Sequence, residues 1–132
     1  MKPNFSGEYA LDRQSSLLSA GAGAIVSAVL RMEHDDPRIR CSARFASAAD
    51  AVEFTFERHT DGRETALSAH ETSRCYWQED ALISEDRMGS GDAAMVMTWR
   101  YELVDQGRRL RAMEQIRGAG RDQESVWEFE RQ

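Results

Sequence analysis

Four side chains suited to handling a ligand stand two apart in the stretch AAMVMTWRYEL: Met95, Met97, Trp99 and Tyr101. Methionine adapts to irregular shapes, and tryptophan and tyrosine each offer a flat apolar face with one hydrogen-bonding group. Aligned on one side of a strand, they would either wall a pocket for a flat hydrophobic molecule or fill a core. Tyr9, Phe54, Phe56, Trp77 and Trp127 carry the same two readings. Glu114 is more pointed. In RRLRAMEQIR the alternation through Leu110, Ala112 and Ile116 sets a carboxylate on the apolar face. Such a group must be protonated, paired with an arginine or turned toward a polar cavity. A bulge that slips the register would instead expose Glu114 and turn Met113 inward. If it faces inward, Glu114 is the candidate for orienting a ligand or for moving a proton as acid or base.

Other chemistries find less to work with. His34, His59 and His70 make no HxH or HExxH pattern, so no metal site is expected. There is no GxSxG elbow. GAGAIV lacks the third glycine and the following helix of a dinucleotide fingerprint, and no cofactor is expected. Cys41 and Cys75 fit neither a CxxC nor a zinc spacing and are expected to be free, buried thiols.

The chain of 132 residues is long enough for one domain with a sizeable core, and its 41% hydrophobic content with two prolines is that of a globular protein. A net charge of −6 opposes binding to nucleic acid and to anionic membrane surfaces. The longest apolar-leaning run, Gly21 to Leu30, is too short to span a bilayer. Met1-Lys2-Pro3 leads straight into a strand pattern, so the expected compartment is the cytoplasm, or the periplasm or exterior if a leader has been removed.

These side chains need strands to hold them. In FSGEYALD, Phe5, Gly7, Tyr9 and Leu11 alternate with polar or small residues, the mark of a strand with one face on a core. Gly7 inside that strand implies a sharp bend or a close crossing by another segment. A single helical turn at Ser15 to Ala20, capped by Ser15 or Ser16, fits the next stretch. From Ile25 the alternation hardly stops: IVSAVLRMEH, RIRCSARF, AVEFTFERH, RETALSAH, SRCYWQ, ALISEDRM, AAMVMTWRYEL, RRLRAMEQIR and DQESVWEFER follow one another between turn signals. Asp61-Gly62 is a strong signal for a two-residue hairpin. The fold class is all-β: a single antiparallel up-and-down barrel over residues 1–132, with about 8–10 strands and at most one short helix. Closure removes the edges a long meander would leave, and glycine bends serve it.

The opening FxGxY, Phe5-Gly7-Tyr9, resembles the FxGxW signature of lipocalins and fatty-acid-binding proteins, with Tyr9 in the tryptophan's place. The chain as a whole resembles the small bacterial lipocalin-like proteins of the calycin superfamily. Their order of motifs is matched by Gly7-Glu8-Tyr9-Ala10-Leu11-Asp12, Ser15-Ser16, His34-Asp35-Asp36-Pro37, Asp61-Gly62 and Trp77. Gln106-Gly107-Arg108-Arg109-Leu110 and Phe129-Glu130-Arg131 complete it. The resemblance implies a barrel whose interior holds a small apolar ligand. It also has a departure: fatty-acid-binding proteins carry an arginine-x-tyrosine pair that grips the ligand carboxylate, and the arginine position falls on Trp127. A neutral or aromatic ligand is therefore favoured over a fatty acid. The segment Arg13 to Ala24 is also too short for the two lid helices of those proteins.

The expected function is binding of a small hydrophobic, aromatic-leaning ligand inside the barrel by Tyr9, Phe54, Phe56, Met95, Met97, Trp99, Tyr101, Glu114 and Trp127. The alternative is an isomerase- or cyclase-type enzyme on the same cavity, with Glu114 or a histidine as acid or base. Convergence of two titratable side chains in the cavity would favour the enzyme.

Overall fold

The computed structural model describes residues 2–132. Ten strands follow in chain order: β1 (Gly7–Leu11), β2 (Ile25–Asp35), β3 (Arg38–Ser47), β4 (Ala51–His59), β5 (Thr65–Ser68), β6 (Glu71–Gln78), β7 (Ala81–Met88), β8 (Met95–Val104), β9 (Arg109–Gly118) and β10 (Arg121–Arg131). They form one antiparallel sheet in the order β4-β3-β2-β1-β10-β9-β8-β7-β6-β5, curled into an up-and-down barrel. Neighbours in sequence are neighbours in space except β4 and β5, which do not pair, and β1 also reaches across to β10. Among the described residues no helix is long and apolar enough to cross a membrane.

Closure rests on the first and last strands. Tyr9 lies opposite Arg131 on one side and Leu30 on the other. Gly7 has φ 143°, a region open to glycine and strained for other residues, and a Cβ there would stand 3.1 Å from Nε of Arg131. Of the two reasons anticipated for a glycine, the close crossing is the one observed. The Arg131 guanidinium crosses Gly7 and lies over the Tyr9 ring at 5.6 Å, and it donates to the carbonyls of Ser6 and Gly107.

Two local expectations are corrected. No helical turn forms at Ser15 to Ala20; single 3-10 turns fall instead at Gly91–Ala93 and Asp105–Gly107. The hydroxyl of Ser16 bonds outward, donating to the Asp12 carbonyl and accepting from the backbone N–H of Glu128. Leu17 bridges Val126, so the segment is pinned along the part of β10 that β1 leaves uncovered. The Asp61-Gly62 turn makes no β4–β5 hairpin, and those two strands do not pair. Its backbone is claimed elsewhere: Thr60 N–H donates to the Pro37 carbonyl, Gly62 N–H to that of Cys75, and Asp61 bridges Tyr76. The barrel is thus tied at that end and left unzipped along β4 and β5.

One end is packed solid. Phe5 and Tyr9 are fully buried there, and the Tyr9 hydroxyl donates to the Phe5 carbonyl at 2.7 Å. Nδ1 of buried His34 accepts the Phe5 N–H, and its Nε2 lies 3.0 Å from Asp36 Oδ1. Trp77 stacks on Phe5 and donates its indole N–H to the same Asp36 oxygen, which also accepts from the Thr60 hydroxyl. His34-Asp35-Asp36-Pro37 is thereby part of a plug.

Candidate functional site

Beyond the plug, the inner face does not fill. The short side chains of Cys41, Ala43, Ser84 and Ala112 stand across from aromatic ones and leave a cavity of about 530 Å³. β8 contributes Met97, Trp99 and Tyr101; β4 contributes Phe54, Phe56 and Arg58; β9 and β10 add Glu114, Ile116, Trp127 and Phe129. Ser19, Gly21 and Ala22 of the loop after β1 border it as well. The rings are mutually braced. Trp99 stacks on Tyr101 at 5.9 Å and tilts against Trp127 at 6.2 Å, while Phe45 meets Trp127 edge-on.

Of the residues anticipated from sequence, Phe54, Phe56, Met97, Trp99, Tyr101, Glu114 and Trp127 border one cavity. Two do not. Tyr9 belongs to the plug, and Met95, paired with Gly118 at the start of β8, falls outside the lining. Glu114 is held in unbroken register between Trp99 and Ser125, so no bulge turns it away. Met113 takes the opposite face. Oε1 of Glu114 accepts the indole N–H of Trp127 at 3.3 Å. Burial pushes its carboxyl pKa above the ordinary glutamate value, against the pull of that hydrogen bond and of Arg121. The Tyr101 phenol is pushed well up by burial, reinforced by the neighbouring thiols, Asp86 and Glu114.

Several polar residues of the wall were not anticipated, among them Arg121, Gln123 and Ser84, and two of them, Arg58 and Asp86, face each other. Arg58 follows Phe54 and Phe56 in the same inward phase, and Asp86 follows Leu82 and Ser84 in another. One further step along each alternation would have found them. Arg58 lies over the Phe56 ring at 5.0 Å and comes within 3.9 Å of Asp86. The histidines do not join them: His34 sits in the plug, and His59 and His70 are exposed and off the lining. Cys41 and Cys75 are free and buried, and burial pushes both thiols up to about 12.

No protein-family model matches the chain, and none of the curated proteins compared with it does. Solved structures do. The fluorescent protein UnaG superposes with TM-score 0.66 at 11% identity, over 97% of each chain. A secretory abundant heat soluble protein from Ramazzottius varieornatus gives TM-score 0.68 at 9% identity, covering 99% of this chain and 98% of that one. A Schistosoma mansoni fatty-acid-binding protein, solved in complex with arachidonic acid, gives 0.60 at 13%, covering 97% and 96%. At these identities the likeness is one of fold, and the fold is calycin-like.

Proposed function

We propose that the protein binds a small, flat hydrophobic molecule inside the barrel, as a member of the lipocalin-like group its motif order resembles. The cavity carries this reading: a space of about 530 Å³ walled mainly by Phe54, Phe56, Met97, Trp99, Tyr101 and Trp127, with Arg58, Asp86, Glu114 and Arg121 as the charged groups on its lining. That size lies within the range of about 300–1,000 Å³ usual for small-molecule sites. Arachidonic acid bound to a fatty-acid-binding protein of the same fold supports an apolar cargo. Trp127 in place of the carboxylate-gripping arginine, with Glu114 hydrogen-bonded to it, favours a neutral or aromatic ligand over a fatty acid. In the isomerase or cyclase reading Glu114 would be the acid or base, with Asp86, Arg58 and Arg121 as further titratable groups on the same lining. That is the convergence the reading calls for, but no histidine is among them. The extent of the apolar wall is what favours binding. Binding is the better-supported function.

The test is native mass spectrometry of freshly purified protein for a co-purifying small molecule, followed by titration with Nile red. Saturable dye binding with energy transfer from Trp99 and Trp127 is expected. Failure to bind the dye, with no small molecule carried through purification, would overturn the reading.

A further inference from the structure

Arg58 and Asp86 belong to strands that are not neighbours, β4 and β7, and face each other beside the unpaired β4–β5 seam. Both border the cavity. Their separation of 3.9 Å is too long for a hydrogen bond. Among the described residues, the buried side-chain atoms without a hydrogen-bond partner are Arg58 Nε, Asp86 Oδ1, Ser73 Oγ from Asp86's register partner, and, away from this pair, Glu128 Oε2. Nη1 of Arg58 donates to the Glu57 carbonyl. Charged groups left so are costly, and where they border a cavity their partners come from what the cavity holds, solvent or ligand. The nearby Cys75 thiol offers no compensation: burial keeps it neutral.

We propose that Arg58 and Asp86 form a station for a neutral hydroxyl, so that the ligand is a hydrophobic alcohol or phenol. The guanidinium donates to the hydroxyl oxygen, and the hydroxyl hydrogen goes to the carboxylate. A single oxygen about 2.8 Å from each partner spans the gap, with the two contacts near a right angle. A carboxylate placed there would gain Arg58 but meet the like charge of Asp86, and Glu114 lies on the same cavity wall. An ammonium would gain Asp86 and meet Arg58. This inference rests on the binding reading above and adds the head group to it.

The experiment compares three probes with one ring system, pyrenemethanol, methylpyrene and pyrenecarboxylate, by fluorescence titration of the parent protein, Arg58→Met and Asp86→Asn. In the parent the alcohol should bind about tenfold more tightly than methylpyrene, the scale of one hydrogen bond to a charged group. It should also outbind the carboxylate. Arg58→Met should remove much of the alcohol's advantage over methylpyrene, leaving the part carried by Asp86, and Asp86→Asn should narrow the gap between alcohol and carboxylate. Equal binding of alcohol and methylpyrene by the parent overturns the hydroxyl station while leaving the cavity reading intact. An unchanged alcohol-to-carboxylate ratio in Asp86→Asn overturns it too. Binding of none of the three overturns both.

Discussion

Truncating Trp99 separates a walled cavity from a filled core. A tryptophan packed on all sides costs about 3–5 kcal/mol when cut to alanine. Trp99 is packed on only part of its surface: it stacks on Tyr101, tilts against Trp127 and leaves its remaining area to the cavity. We expect Trp99→Ala to cost about 2 kcal/mol, below the full-packing range. With a urea slope of about 2 kcal/mol per molar, the midpoint should fall by about 1 M. Leu110→Ala is the comparison, because Leu110 is 0% exposed and off the cavity lining. It should cost about 3–4 kcal/mol. Binding should order the two variants the other way: Nile red affinity falls about tenfold or more in Trp99→Ala and holds in Leu110→Ala, measured where each variant is folded. If Trp99→Ala costs more stability than Leu110→Ala and leaves dye binding unchanged, Trp99 is core and the wall assignment is wrong.

Burial raises the folded pKa of Glu114, so the parent loses stability as pH rises from the unfolded glutamate value of about 4.3 through the folded one. Glu114→Gln should accordingly be the more stable protein at neutral pH and lose that advantage in acid; urea midpoints across pH showing it less stable at neutrality would refute this. Asp36 has the opposite sign. Burial works to raise its pKa, but hydrogen bonds from His34, Thr60 and Trp77 outweigh it and hold it below the ordinary value. Its contribution is present above the unfolded aspartate pKa and disappears as pH falls through the lowered one, so Asp36→Ala should flatten the acid side of the parent's stability curve. Gly7→Ala places a Cβ against Arg131 at positive φ and should cost about 1–3 kcal/mol in urea, a neutral result contradicting the crossing at Gly7. Cys41 and Cys75, with thiols near 12, should resist a thiol reagent at neutral pH in the folded protein and both react in urea; rapid labelling of the native form would refute their burial.

The strands were legible because nearly every one keeps strict alternation, and a period of two admits few other structures. Glu114 was legible for the same reason, as the polar member of an apolar phase. The unzipped seam was not. Asp61-Gly62 carries the chemistry of a hairpin, but Thr60 and Gly62 spend their N–H groups on Pro37 and Cys75, contacts made by residues far along the chain. Nor does alternation report whether an inner face meets matter or space. The cavity comes from Cys41, Ala43, Ser84 and Ala112 standing opposite rings on other strands, and nothing in each one's own segment tells that its shortness leaves space. Arg58 and Asp86 escaped by position: charged residues near strand ends read as solvated, and only the curl of the sheet turns them onto one wall.

The two halves of the barrel put their polar groups to different uses. In the plug, Tyr9 Oη, both ring nitrogens of His34 and the indole of Trp77 each have a partner, and a satisfied network between buried rings fixes one arrangement. On the cavity lining, Arg58 Nε and Asp86 Oδ1 have none. A barrel selected for stability alone would set apolar side chains at positions 58 and 86 and larger ones at 43 and 112, since a filled apolar core outperforms an incomplete ion pair. Glu128 Oε2 on β10 also lacks a hydrogen-bond partner, but it lies within reach of Arg109, whereas the unpartnered atoms of Arg58 and Asp86 border a cavity, the pattern of a site carried by a scaffold. The fold can bear the cost because the ladder stays continuous from β4 round to β5 and the plug anchors one end. The proposed ligand contacts at Trp99, Arg58 and Asp86 can therefore be tested apart from the fold.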